Sequence, residues 1–201
     1  MAAGLTPPER RSLAEAMVAD VLDALRATAA VDGIVVVSAE PAVRRLAHRQ
    51  GARWSPDVEE AGQSAAVAQG LRHADGATRA LLVPGDCPAV DPAELTALLA
   101  RPEPGQRSVV VVPDRHGTGT NALVLVPPDA MAPAFGPGSR ARHEAAAAQA
   151  GAACVIVPVP SLGLDVDTPE DLAALRVVMA AAPGRAAHTR ALLGRIAPDG
   201  P

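Results

Sequence analysis

Apolar positions along this chain fall into two rhythms. Short unbroken runs of aliphatic and β-branched residues recur at 34–37, 79–83, 108–112, 121–126 and 154–157. Continuous rather than alternating hydrophobicity predicts strands covered on both faces. Between them, alanine-rich stretches predict helices near 8–30, 40–49, 60–74, 92–100, 139–151, 169–181 and 185–195. Three starts are well marked: Thr6-Pro7-Pro8-Glu9, Asp91-Pro92-Ala93-Glu94 and Thr168-Pro169-Glu170-Asp171. Each offers a capping side chain, proline at the first helical position and an acid at the third. Strand–helix alternation predicts an α/β sheet with helices on both faces. Residues 183–201, richer in Gly, Pro and Arg, read as a last helix and a loose tail.

One element is missing from this pattern. Open α/β folds usually begin with a strand, and the loop after it often holds phosphate. This sequence reaches a helix almost at once, with no glycine-rich loop after an early strand. A sheet built without a central first strand should show either a gap or a substitute strand, because its neighbours would lose their backbone partners.

Composition narrows the function classes. The chain has 201 residues, 49% hydrophobic and 20% charged, with mean hydropathy +0.16. That supports one domain with a real core and excludes a disordered or collagen-like polymer. No apolar run approaches the ~18–20 residues of a membrane span, and the N-terminus shows no secretory signal. The net charge of −4 argues against a general nucleic-acid binder. Trp54 and Phe135 are the only aromatics, too few for a base-stacking platform. There is no lysine, and 45 residues are alanine; this reflects genome composition rather than an arginine-based device. Cys87 and Cys154 can build neither a disulfide framework nor a four-ligand zinc site, and they read as small buried hydrophobes in a reducing cytoplasm.

Candidate chemistry lies just after the strands, where α/β sheets bind ligands. Asp86 follows 81–83 in the turn Pro84-Gly85-Asp86-Cys87-Pro88. Asp165 and Asp167 are two apart in an extended segment and so face one way. Converging carboxylates repel unless a cation lies between them. Asp86, Asp165 and Asp167 form a hard-oxygen set suited to Mg2+, although a turn aspartate and a helix cap explain them individually. The loop Asp114-Arg115-His116-Gly117-Thr118-Gly119-Thr120-Asn121 has glycines that let its backbone turn toward a ligand. In Phe135-Gly136-Pro137-Gly138-Ser139, Ser139 is expected to cap the next helix, whose N–H groups would form an anion site near Arg140, Arg142 and His143. Gly62-Gln63-Ser64 opens a helix that could approach a nucleobase. His48 and His73 read as solvated helix-surface residues.

With these motifs in this order, residues 5–182 resemble the 2-phospho-L-lactate / phosphoenolpyruvate guanylyltransferases (CofC/FbiD type) of deazaflavin-coenzyme biosynthesis. Those enzymes belong to the MobA-like nucleotidyltransferases. The Gly-Thr-Gly-Thr loop and the Phe-Gly-Pro-x-Ser segment carry the specific part of the likeness. The resemblance implies a single-domain, Rossmann-like, glycosyltransferase-A-like fold with a mixed, mostly parallel sheet. It implies a nucleotidyltransferase domain over 1–182, lacking the first strand, and a transfer that joins GTP to phosphoenolpyruvate or 2-phospho-L-lactate and releases pyrophosphate. Asp86, Asp165 and Asp167 would be the catalytic metal ligands for Mg2+. Thr120, Gly136 and Ser139 would hold the three-carbon acid, with Arg142 and His143 in an electrostatic supporting role. Gly62, Ser64, Pro84 and Gly85 would lie along the nucleotide. Relatives commonly carry Gly-x-Asn where this chain has Gly62-Gln63-Ser64, and an early Lys/Arg phosphate loop that has no counterpart here. The other readings are a MobA-like nucleotidyltransferase with a different acceptor, and an inactive N-terminally truncated paralogue. A homodimer is the candidate assembly.

Overall fold

A computed structural model describes residues 5–103 and 105–196. Helix α1 (Pro7–Ala27) begins with the expected capping box, in which Thr6 and Glu9 satisfy each other's backbone N–H. It is followed by β1 (Val35–Ser38), α2 (Pro41–Arg49), β2 (Arg53–Pro56), α3 (Gln63–Leu71) and β3 (Ala80–Leu82). Then come α4 (Pro92–Leu99), β4 (Ser108–Pro113), β5 (Thr120–Val126), α5 (Ser139–Gln149), β6 (Ala153–Ile156), α6 (Pro169–Ala181) and α7 (Ala187–Ile196). Asp91 caps α4 through the Ala93 N–H, and a Thr168–Asp171 box caps α6. All seven expected helices and all five expected strands form. β2 is an additional strand, and only its Ser55 is buried.

The strands make two sheets. β1 and β2 pair in parallel, and a four-stranded sheet runs β3-β5-β4-β6. In the latter, β5 is antiparallel to both β3 and β4, while β6 is parallel to β4. So β3, β4 and β6 share one direction, and the mixed, mostly parallel character holds. Among the described residues no strand bridges the two sheets. The free edges of β1 and β3 instead line a cavity of about 1250 Å3, with Val35 and Val37 on one side and Leu81 and Leu82 on the other. Of the two expected outcomes, a gap or a substitute strand, the structure shows the gap.

The core explains why β4 and β5 read as unbroken hydrophobic runs. Val110, Val112, Ala122 and Val124 pack on one face with Leu95 and Leu98 of α4. Val109, Val111, Leu123 and Leu125 pack on the other with Ala147 of α5. Burial on both faces keeps the middle of each strand apolar and confines the polar side chains Ser108, Thr120 and Asn121 to the strand starts. Helix α7 lies along α1, where the Asp20 carboxylate accepts the His188 and Thr189 N–H groups at the start of α7. No helix among the described residues is long and apolar enough to cross a membrane.

Candidate active site

The carboxylate cluster is assembled by backbone pairing. The Val166 N–H donates to the Asp86 carbonyl at 3.1 Å, which fastens the segment of Asp165 and Asp167 beside the turn after β3. Asp86 is half-buried. That burial, reinforced by the charges of Asp165 and then Asp167, pushes its carboxyl up to about 6. None of the three carboxylates has an ion-pair partner among the described residues. Acceptor-only groups that repel one another and lack a cationic partner suit a hard cation. Among the described residues, however, no group of three acidic, His or Cys side chains forms a ready-made cage. The structure therefore does not itself present the three aspartates as a closed metal cage.

The acid-type loops adjoin this cluster at the start of β5. β4 and β5 lose register between Val112 and Pro113: Val112 opposes Ala122, while Pro113 opposes Thr120. Asn121 is therefore the extra residue of a β-bulge, a device that re-aims side chains. Its amide donates to the Leu162 carbonyl at 2.8 Å and to Asp165 Oδ1 at 3.3 Å. The adjacent Thr120 hydroxyl lies 3.0 Å from His143 Nδ1. One strand end thus reaches the carboxylates through Asn121 and the 135–139 segment's supports through Thr120. Sequence reasoning missed Asn121; its place at the end of the Gly-Thr-Gly-Thr loop was the only signal.

Arginines and backbone bonds hold the two loops together. Arg140 donates its backbone N–H to the Thr118 carbonyl at 3.3 Å and its Nη1 to the Gly117 carbonyl at 3.1 Å. The Asp114 carboxylate accepts the Thr118 N–H at 3.0 Å. Asp114 passes so close to Gly119 that a Cβ there would sit 2.6 Å from Asp114 Oδ2. Arg115 pairs with Asp171 at the start of α6 and binds this loop to the carboxylate segment. Against its burial, which acts to raise it, hydrogen bonds from the Thr168 hydroxyl and the Thr168 and Asp167 N–H groups, and lastly the Arg115 charge, keep the Asp171 carboxyl below its ordinary range.

Three expectations about the second loop need correction. Ser139 does not cap α5: Gly138 occupies the cap, in a left-handed conformation, and Ser139 is the first helical residue and is buried. The helix terminus is also not a free anion site. The Ser139 N–H is spent on the Gly136 carbonyl and the Arg140 N–H on Thr118. Arg142 is no bare electrostatic support either. Its guanidinium donates to the carbonyls of Ala134, Phe135 and Pro137 and clamps the loop's backbone. His143 is fully buried, and burial, then the Arg142 charge, lowers its imidazole to about 4, so it is neutral near pH 7. His73 is not simply solvated, since its Nε2 lies 3.2 Å from Ser55 Oγ.

Two of the remaining candidates, Pro84 and Gly85, border the cavity between the sheets, as do Asp86 and Phe135. Gly62 is the N-cap of α3. Ser64 Oγ accepts the Phe135 N–H at 2.9 Å, so the start of α3 is tied directly to the 135–139 loop. Cys87 is fully buried, and burial pushes its thiol well above its ordinary range, so it is not a nucleophile.

Comparison with known proteins identifies the family and the fold. The family described as guanylyl transferase CofC like matches residues 1–197. The phosphoenolpyruvate guanylyltransferase of Conexibacter woesei is 52% identical over 198 residues, covering 98% of this chain and 89% of that protein. The phosphoenolpyruvate guanylyltransferase of Sphaerobacter thermophilus is 42% identical over 176 residues, covering 86% and 83%. Among solved structures, a nucleotidyl transferase from Methanothermobacter superposes with TM-score 0.62 at 21% identity, over 81% of this chain and 79% of that one. A cytidylyltransferase from Leptospira borgpetersenii gives TM-score 0.60 at 12% identity, over 90% and 83%. At such identities these two establish a shared Rossmann-like nucleotidyltransferase fold and no more.

Proposed function

The chain belongs to the CofC-like guanylyl transferase family and is a nucleotidyltransferase; on that premise we propose that it transfers the guanylyl group of GTP to phosphoenolpyruvate and releases pyrophosphate. The observation that carries this reading is the bulge at β5. It sets Thr120 and Asn121 side by side, the first hydrogen-bonded to His143 of α5 and the second to Asp165. An acceptor acid and a metal-bound triphosphate would meet there.

In this reading a phosphate oxygen of phosphoenolpyruvate attacks the α-phosphorus of GTP. The new bond forms between them as the bond to the β-phosphate oxygen breaks, and pyrophosphate leaves. The attacking oxygen is already anionic, so the chain has no proton to remove. Its work is positioning and charge neutralisation. Asp86, Asp165 and Asp167 would hold Mg2+, which supplies the positive charge that lets two anionic substrates approach. Thr120, Gly136 and Ser139 hold the acid, and Arg142 fixes the backbone that presents Gly136. Pro84 and Gly85 flank the nucleotide, with Gly62 and Ser64 nearest the base. The two unpaired thiols suit a reducing, cytoplasmic setting.

The experiment is pyrophosphate release from each of GTP, ATP, CTP and UTP, with phosphoenolpyruvate or 2-phospho-L-lactate as acceptor. Turnover is expected with GTP and phosphoenolpyruvate, lost in EDTA and restored by Mg2+. Equal rates with all four nucleotides, or no release from GTP with either acid, would overturn the reading.

A further inference from the structure

His143 has two ring nitrogens and one partner for each. Nε2 lies 2.8 Å from the Ala134 backbone nitrogen, and Nδ1 lies 3.0 Å from Thr120 Oγ1. A backbone N–H can only donate, so Nε2 must present its lone pair. In a neutral imidazole the proton then sits on Nδ1. That N–H points at Thr120 Oγ1, and the hydroxyl has no choice but to accept it. The ring is sealed in this orientation by complete burial and by edge-to-face packing on Phe135, at a centroid distance of 5.0 Å and 73°. Protonation would set an N–H against the Ala134 N–H, in keeping with an imidazole lowered to about 4.

A threonine hydroxyl ordinarily donates or accepts as its surroundings ask. Here one of its two lone pairs is taken by the His143 N–H, so its own proton cannot go to that nitrogen, and no other hydrogen-bond partner of Thr120 Oγ1 is found among the described residues. We infer that His143 is a positioning residue: as the Nδ1–H tautomer it makes Thr120 a dedicated hydrogen-bond donor to an anionic oxygen of the acceptor acid. The inference rests on the proposed placement of that acid at Thr120. It gives the pocket a polarity, favouring acceptor-only carboxylate or phosphate oxygens over groups that must themselves donate.

Two amide replacements separate this role from a merely structural one. The asparagine amide reaches the Nδ1 position, and the glutamine amide reaches the Nε2 position. His143→Asn can still donate to Thr120 but leaves the Ala134 N–H unpaired. His143→Gln keeps the Ala134 bond and leaves Thr120 without its donor. For phosphoenolpyruvate, both KM and the calorimetric Kd should rise about 10-fold in His143→Gln and stay within about 3-fold in His143→Asn, with the GTP KM unchanged in both. Thr120→Val sets the scale, at about 10- to 100-fold for losing a bond to a charged group. Circular dichroism checks that each variant is folded. In the wild-type protein, 15N-labelled imidazole spectra should show the His143 signal, identified by its loss in His143→Gln, with the proton on Nδ1.

The outcomes are separable. If Thr120→Val binds phosphoenolpyruvate normally, the acid is not at Thr120, and the proposed placement falls together with this inference. If Thr120→Val is impaired but His143→Gln is normal, or His143→Asn is the worse of the two, the placement survives and the inference is overturned. An Nε2–H tautomer in the spectra overturns it without reference to activity.

Discussion

Replacing Asp86 with Asn is expected to reduce guanylyl transfer at least ~100-fold while making the folded chain more stable near neutral pH. The loss follows from removing a full charge from the place where two anionic substrates must be drawn together. The gain follows from linkage. Burial, then Asp165 and Asp167, raises the Asp86 carboxyl from its ordinary 3.8 to about 6. The folded chain therefore keeps this proton to higher pH than the unfolded chain does. Stability falls as pH rises from about 4 to about 6, and the deficit persists above that range. A shift of this size corresponds to a deficit on the order of 2–3 kcal/mol. Asparagine has nearly the same shape and no charge, so it removes both the deficit and this part of the pH slope. Thermal melts in EDTA at pH 7.5 and pH 4 check it. The variant should melt several degrees higher than wild type at pH 7.5, and the two should converge at pH 4. A variant that is active, or that melts lower at pH 7.5, would contradict the account.

Gly136→Val is expected to raise the KM for phosphoenolpyruvate by about 10- to 100-fold and to leave the GTP KM within about 3-fold. Crowding is not the reason. A Cβ at Gly136 would meet only Arg142 Nη2, at 3.5 Å, which is ordinary contact. The reason is the backbone, since Gly136 has φ +108° and a β-branched residue cannot take that conformation without strain on the order of 1–3 kcal/mol. The exposed loop can relieve the strain only by moving, and moving breaks the Arg142 bonds to the Phe135 and Pro137 carbonyls. The global melt should change little, because Gly136 is exposed and outside the core. Wild-type kinetics in this variant would remove Gly136 from the acid pocket.

What could be read from the sequence was what is decided locally. The capping boxes at Thr6 and Thr168 and the Asp91 cap form because a cap depends on residues within one turn of it. The runs at 108–112 and 121–126 were legible as strands because burial on both faces fixes their composition. β2 was not. Arg53, Trp54, Ser55 and Pro56 form a strand because β1 pairs with them, a fact that lies outside the segment. The site divides the same way. The three aspartates were visible as acids after strands, but Asn121 depends on a bulge between two strands. The tasks of Arg142 and His143 depend on which carbonyls, N–H groups and hydroxyls tertiary folding brings to them. Positive charge near an anion site was a fair expectation for both side chains. In the folded chain Arg142 is spent on backbone, and His143 carries no charge.

The division of the sheet is expected to make the molecule open as two units rather than one. The amides on the free edges of β1 and β3 have no partner strand to slow their exchange with solvent, whereas those of β4, bonded to β5 and β6, have one on both sides. The β1–α2–β2–α3 unit rests on the remainder chiefly through α1, where Ala19 and Leu22 meet Leu46, Ile34 and Val36. Deuterium should therefore enter that unit at lower opening free energy than it enters the four-stranded sheet. Ser64 belongs to the weaker unit and Phe135 to the stronger, and the bond between them crosses the division. A nucleotide lying along both sides would add contacts across the same division. Protection in β1 and α3 then becomes a direct gauge of nucleotide occupancy, rising toward that of β4 as the site fills.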